Sequence, residues 1–158
     1  MTPPFQQLVD DHADALVRHL RAVVGPHDAH DVAQETFLAA LRAWPDLRHT
    51  DNLRGWLYTI AHRKVIDAWR ATGRRVDPVS EVPDRGVTPP EPDDDAVWAA
   101  VAGLPPAQRA AVALRFLDDL SYAEIAAICD CSEGAARQRV HDAVRSLRRT
   151  LPAPEVTP

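Results

Sequence analysis

The chain has 158 residues, 46% of them hydrophobic and 26% charged, which is the make-up of a folded protein of one or two domains and excludes a disordered chain. Eighteen Lys and Arg against twenty-three Asp and Glu leave a net charge of −5, a sum that taken alone speaks against a nucleic-acid binder. No stretch nears the ~20 apolar residues of a membrane span, MTPPFQQLVDDH has no secretion signal, and Cys129 and Cys131 are too close for a bridge; a cytoplasmic, reducing location and no membrane partner are expected.

Taken in chain order, residues 1–75 form a first module with helical spacing three times over. Phe5, Leu8, Val9, Leu16, Val17, Leu20 and Val24 recur at i, i+3 and i+4, and Gly25-Pro26 stops that helix. A second helix from near Asp28 is expected to bury Ala33, Phe37, Ala40, Leu41 and Trp44 and to end before Pro45. A third starts near Asn52, turns Leu53, Leu57, Ile60, Ala61, Val65 and Ala68 inward, and runs to Gly73. Nothing alternates with period two, so the predicted fold class is all-α, two small helical domains on a linker.

Residues 76–95 mix Pro with seven acidic side chains against one Arg, and read as an extended, self-repelling linker that holds the whole net acidity. The second module, 96–151, has a helix near 94–102, another from Pro105-Pro106 towards Asp119, and two more, with 152–158 as a tail. Ser121-Tyr-Ala-Glu124 spells a capping box, and Ser132 offers a second N-cap after the break at Asp130-Cys131.

A capped short helix, a three-residue turn and a longer basic helix are the spacing of a helix-turn-helix. A helical wheel puts Ala136, Val140, Ala143, Val144 and Leu147 inward, and Gly134, Ala135, Gln138, Asp142, Arg145 and Arg149 outward, flanked by Arg137, His141 and Arg148. Small residues at 134 and 135 admit DNA closely, Gln138 suits adenine, and the arginines suit guanine or phosphate. An ordinary hairpin with a solvated basic face has the same pattern. In the third helix Trp56, Arg63, Asp67, Arg70 and Arg74 share one face with Lys64 beside it, a ring followed by guanidinium groups as a melted strand requires. The same spacing also fits a core Trp56 and a plain ion pair of Arg63 with Asp67.

The second helix shows an acidic face of Asp28, Asp31, Gln34 and Glu35 with an apolar Leu38 among them, the pattern either of a docking surface or of a solvated helix. His27, His30 and Asp31, and separately Cys129 and Cys131 with His141, have metal-ligand residue types, but no cluster completes a shell; no metal or cofactor is expected.

Together, HDAHDVAQETFLAALRAW with LRGWLYTIAHRKVIDAWR, and the later LPPAQRAAVALRFLDDLSYAEIAAICDCSEGAARQRVHDAVRSLRR, resemble regions two and four of the extracytoplasmic-function (ECF) sigma factors of bacterial RNA polymerase. The resemblance implies a non-enzymatic initiation factor that docks on core polymerase and assists promoter melting. Asp28, Asp31, Gln34, Glu35 and Leu38 would meet the clamp helices, with Phe37 mainly in the core. Arg48, Asn52, Trp56, Arg63, Lys64, Arg70 and Arg74 would hold the minus-ten element. The last helix, with Ser132, Glu133, Gly134, Ala135, Arg137, Gln138, His141, Arg145 and Arg149, would read the minus-thirty-five element, its module resting on the polymerase flap. Family members are commonly held inactive by an anti-sigma protein, so one is an expected partner. Arg63, Gln138 and Asp142 depart from the residues common in the family, so the promoter sequence does not carry over. The alternatives are a stand-alone helix-turn-helix regulator and, more remotely, a metal enzyme built on His27, His30 and Asp31.

Overall fold

The computed structural model describes residues 3–71 and 94–151; Arg74, the expected linker of 76–95 as far as residue 93, and the tail at 152–158 lie outside them. The described residues are helical, with no strand among them. Helix α1 spans Phe5–Val24, α2 Ala29–Ala43, α3 Leu53–Ala71, α4 Asp94–Ala102, α5 Pro106–Val112, α6 Tyr122–Cys129 and α7 Glu133–Thr150.

Each boundary has a local cause. Gly25 ends α1 at φ +91°, a conformation that side chains resist, and its N–H is donated to the Arg21 carbonyl. A 3₁₀ turn, Trp44–Asp46, follows α2 at Pro45. Asn52 caps α3 by accepting the Gly55 N–H at 3.0 Å. A Cβ on Gly55 would push aside the Asn52 amide that forms this cap. Ser121 and Glu124 form the predicted capping box, with bonds of 3.1 Å in each direction, and Ser132 caps α7 through the Ala135 N–H at 3.0 Å.

Two expectations need correction. Leu41 is not buried; it stands 49% exposed on the outer side of α2. The helix predicted from Pro106 to near Asp119 is α-helical only to Val112 and then widens into a π turn, Ala113–Leu117, closed by the Asp118 N–H on the Ala113 carbonyl. One extra residue in the turn rotates the chain beyond it, and Asp119 takes a left-handed φ of 55°.

Helices α1, α2 and α3 pack together, as do α4, α5, α6 and α7. The two groups then pack on each other, α1 against α4, α5 and the π turn, and α3 against α6. One apolar cluster runs through both, joining Leu16, Leu20 and Val65 to Leu114, Leu120 and Ile125. Two small modules that would each bury a modest core thereby share a larger one. Polar bonds cross the same contact: His19 Nδ1 lies 2.6 Å from Asp118 Oδ2, the Tyr58 hydroxyl donates to Asp118 Oδ1 at 3.2 Å, and Arg109 donates to the Val23 carbonyl at 3.0 Å.

Candidate nucleic-acid and protein interfaces

The inward side of α2 is set by Val32, Ala33, Thr36 and Ala40, and the Thr36 hydroxyl is donated to the Val32 carbonyl at 2.7 Å, so this buried polar side chain is satisfied within its own helix. The opposite side carries Asp31, Gln34 and Glu35, all exposed, and Leu38 at 50% exposure. Leu41 extends the stripe by one turn, and Asp28 stands half-buried at its start. Two neighbouring exposed leucines bordered by carboxylates are a surface that gains by being covered. Phe37 is half-buried against the core.

Helix α3 buries Leu57, Tyr58, Ala61, Val65 and Trp69, which leaves Arg63, Asp67 and Arg70 exposed on one stripe, with Lys64 half-buried beside it. Trp56 heads that stripe, half-buried, its ring 5.9 Å from Trp44, which in turn meets Phe5 edge-on at 5.4 Å. Trp56 is thus a packed residue with part of its surface open. Arg48 and Asn52 are exposed, but the Asn52 amide oxygen is committed to its cap. His62, at the middle of α3, faces the second group of helices, and its pKa is depressed to about 4 by burial first and then by His19 and Arg139.

In α7 Ala136, Val140 and Ala143 are buried, while Glu133, Gly134, Arg137, Gln138, His141, Arg145 and Arg149 are exposed and Ala135 is half-buried. A Cβ on Gly134 would meet nothing nearer than the Ser132 hydroxyl at 3.9 Å, so the first turn presents open backbone. The Ser132 hydroxyl is spent on the cap. Gln138 Nε2 donates to Asp142 Oδ1 at 2.9 Å, which turns the amide along the helix instead of outward.

Three residues missed by sequence reasoning, Arg115, Phe116 and Tyr122, adjoin this helix. Arg137 and Arg115 both hold their guanidinium groups over the Tyr122 ring, at 4.9 and 5.0 Å, so an aromatic at the first position of α6 orders two cations. Phe116, 61% exposed, borders a groove of about 520 Å³ lined by Tyr122, Val140, Val144, Arg145 and Arg148. The capped Tyr122 beside a basic helix was a readable signal; Phe116 depends on the π turn and was not.

The metal-type residues are scattered. His27, His30 and Asp31 are exposed around the start of α2, and among the described residues no three His, Cys, Asp or Glu side chains form a group able to hold an ion. Burial and the neighbouring Cys131 push the Cys129 thiol up to about 12, so it stays protonated and is a poor ligand. Among the described residues no helix is long and apolar enough to cross a membrane.

Known protein families match two stretches of the chain. Residues 8–75 match Sigma-70 region 2, and residues 94–147 match Sigma-70 region 4. The chain is 34% identical to the ECF RNA polymerase sigma factor SigE of Mycolicibacterium smegmatis over 94% of its own length, and spans 62% of that protein. It is 34% identical to the ECF RNA polymerase sigma factor SigL of Mycobacterium tuberculosis, over 93% of this chain and 88% of SigL. Among solved structures it resembles the sigma factor RpoE in complex with the anti-sigma factor NepR from Bartonella quintana, with a TM-score of 0.75 and 26% identity over 92% of this chain and 94% of RpoE.

Proposed function

Since the chain belongs to the ECF family of RNA polymerase sigma factors, we propose that it binds core RNA polymerase, directs it to particular promoters and assists strand opening. The observation that carries this reading is the simultaneous exposure of three faces: the acidic, leucine-bearing side of α2, the cationic stripe of α3 and the outer side of α7. A stand-alone duplex-binding regulator uses only the last of these.

In this reading Asp31, Gln34, Glu35, Leu38 and Leu41 meet the polymerase clamp helices, with the carboxylates guiding approach and the leucines supplying apolar area. Arg48, Arg63, Lys64 and Arg70 follow the phosphates of the minus-ten strand, and the open part of Trp56 offers a ring to an unpaired base. Asn52 and Ser132, whose side chains cap helices, contribute by placing backbone. The open first turn of α7 enters the major groove at the minus-thirty-five element, with Arg137, Arg145 and Arg149 towards phosphates or guanine. Gln138 reads a base only after leaving Asp142. The Phe116 groove is the seat for the polymerase flap.

No catalytic step is assigned to the chain; polymerase performs the chemistry, and the working location is the cytoplasm. RpoE was solved with an anti-sigma factor bound, and an inhibitor of that kind covering the α2 face is the expected regulator here.

The test is co-purification with core polymerase. Asp31→Arg with Glu35→Arg, both exposed, should abolish association while leaving the fold intact. Undiminished association would refute the docking face.

A further inference from the structure

His19, Asp118 and Tyr58 belong to none of the three faces, yet they are among the most enclosed polar side chains described, at 5%, 5% and 2% exposure. His19 and Tyr58 come from α1 and α3 of the first helix group and Asp118 from the residue after the π turn in the second, so Asp118 meets the other two only because the groups are closed on each other. One Asp118 oxygen lies 2.6 Å from His19 Nδ1 and the other accepts the Tyr58 hydroxyl at 3.2 Å, while the His19 and Tyr58 rings sit 5.2 Å apart. The π turn is what brings Asp118 there, since its own N–H closes that turn on Ala113.

Closure conflicts with the sigma-factor reading, on which this inference rests. His62 is at the midpoint of α3 and Arg139 near the midpoint of α7, and the charge of Arg139 acts on His62. Helix α6 packs on both α3 and α7, so the centres of the two DNA-facing helices are held within about two helix spacings, on the order of 20 Å. Elements centred at minus ten and minus thirty-five are about 25 base pairs apart, or roughly 85 Å at 34 Å per ten pairs. Duplex DNA, stiff over about 150 base pairs, does not fold back within that length to bring them together.

We propose that His19, Asp118 and Tyr58 form a latch that holds the free protein closed, and that engagement of polymerase and promoter requires this latch to open. Its chemistry suits a reversible contact. Closed, the three groups satisfy one another; open, each recovers water, so the standing cost of opening is the apolar surface the two groups share, whereas removing one member strands the others only in the closed form. Arg109, on the Val23 carbonyl, adds a bond across the same contact.

The test uses the full chain and two variants, Asp118→Ala and the milder Tyr58→Phe, each checked for wild-type helical circular dichroism. Small-angle scattering reads closure without polymerase, and titration with core polymerase reads its consequence. Both variants should show a larger radius of gyration than wild type. Because apparent affinity is reduced by the fraction of competent molecules, both should also bind core more tightly, by about tenfold for Asp118→Ala if wild type is about 90% closed. An unchanged radius, or an expanded variant that binds core no better than wild type, overturns the latch. If Asp118→Ala loses its helical signal, Tyr58→Phe decides by the same two readouts. Wild-type protein that fails to bind core refutes the sigma-factor reading instead, and scattering still decides whether the contact holds the modules closed.

Discussion

His62 should make stability fall in acid by an amount set by its position. Its side chain is half-buried against the second helix group, where burial, then His19 and Arg139, hold its pKa near 4 against 6.5 in an unfolded chain. A depressed histidine binds its proton more readily when unfolded, so the folded state loses stability as pH drops through 6.5 towards 4 and is indifferent to this group above about pH 7. The slope approaches about 1.4 kcal/mol per pH unit, and the loss reaches about 2.5 kcal/mol at pH 4.5. Urea unfolding at pH 7.5, 6.0, 5.0 and 4.5 should be compared for wild type and His62→Leu, which cannot titrate. Subtracting the two profiles removes the carboxylates common to both. The wild type should lose about 2.5 kcal/mol relative to the variant across that range. Parallel profiles would refute the claim that His62 is held neutral in this contact.

Other outcomes are set by single contacts. Ser121→Ala removes the α6 capping box and should cost about 1 kcal/mol, seen as a lower denaturation midpoint; an unchanged midpoint would mean the cap is idle. Leu38→Glu with Leu41→Glu changes exposed positions, so stability should move by no more than about 1 kcal/mol while core polymerase binding is lost; retained binding would remove the leucines from the interface. Asp142→Ala should free the Gln138 amide and take a negative charge from the DNA side of α7, giving tighter binding to minus-thirty-five duplexes by fluorescence anisotropy. Equal or weaker binding would show that Asp142 does not restrain Gln138.

The helices were readable because their causes are local. Apolar spacing along α1 and α3, Gly25, and the caps at Ser121 and Ser132 each act within a few residues, and the structure has them where the pattern put them. Leu41 was misread because periodicity ranks residues by spacing and cannot tell the margin of a buried stripe from an exposed second leucine. The π turn was not visible, since its extra residue is stabilised by where Asp118 ends up, ninety-nine positions from His19. The same holds for the contact between the two helix groups: its residues are far apart in sequence, and His19 carries no local sign of a distant carboxylate. Among the candidate site residues the exposed charges of α2, α3 and α7 were legible from wheels alone. The commitments of Asn52, Ser132 and Gln138 to bonds within their own helices needed coordinates. Net charge was misleading as a sum: residues 76–95, with seven acidic side chains against one Arg, hold all of the net acidity, and each module still carries a basic cluster near its end.

The most direct measurement is run-off transcription with purified core polymerase over a promoter library. Core enzyme with this protein should start transcripts from a defined subset of promoters sharing minus-ten and minus-thirty-five elements, and core alone should not. Binding of the protein to duplex DNA with no transcripts from any promoter would contradict the account and favour a stand-alone regulator.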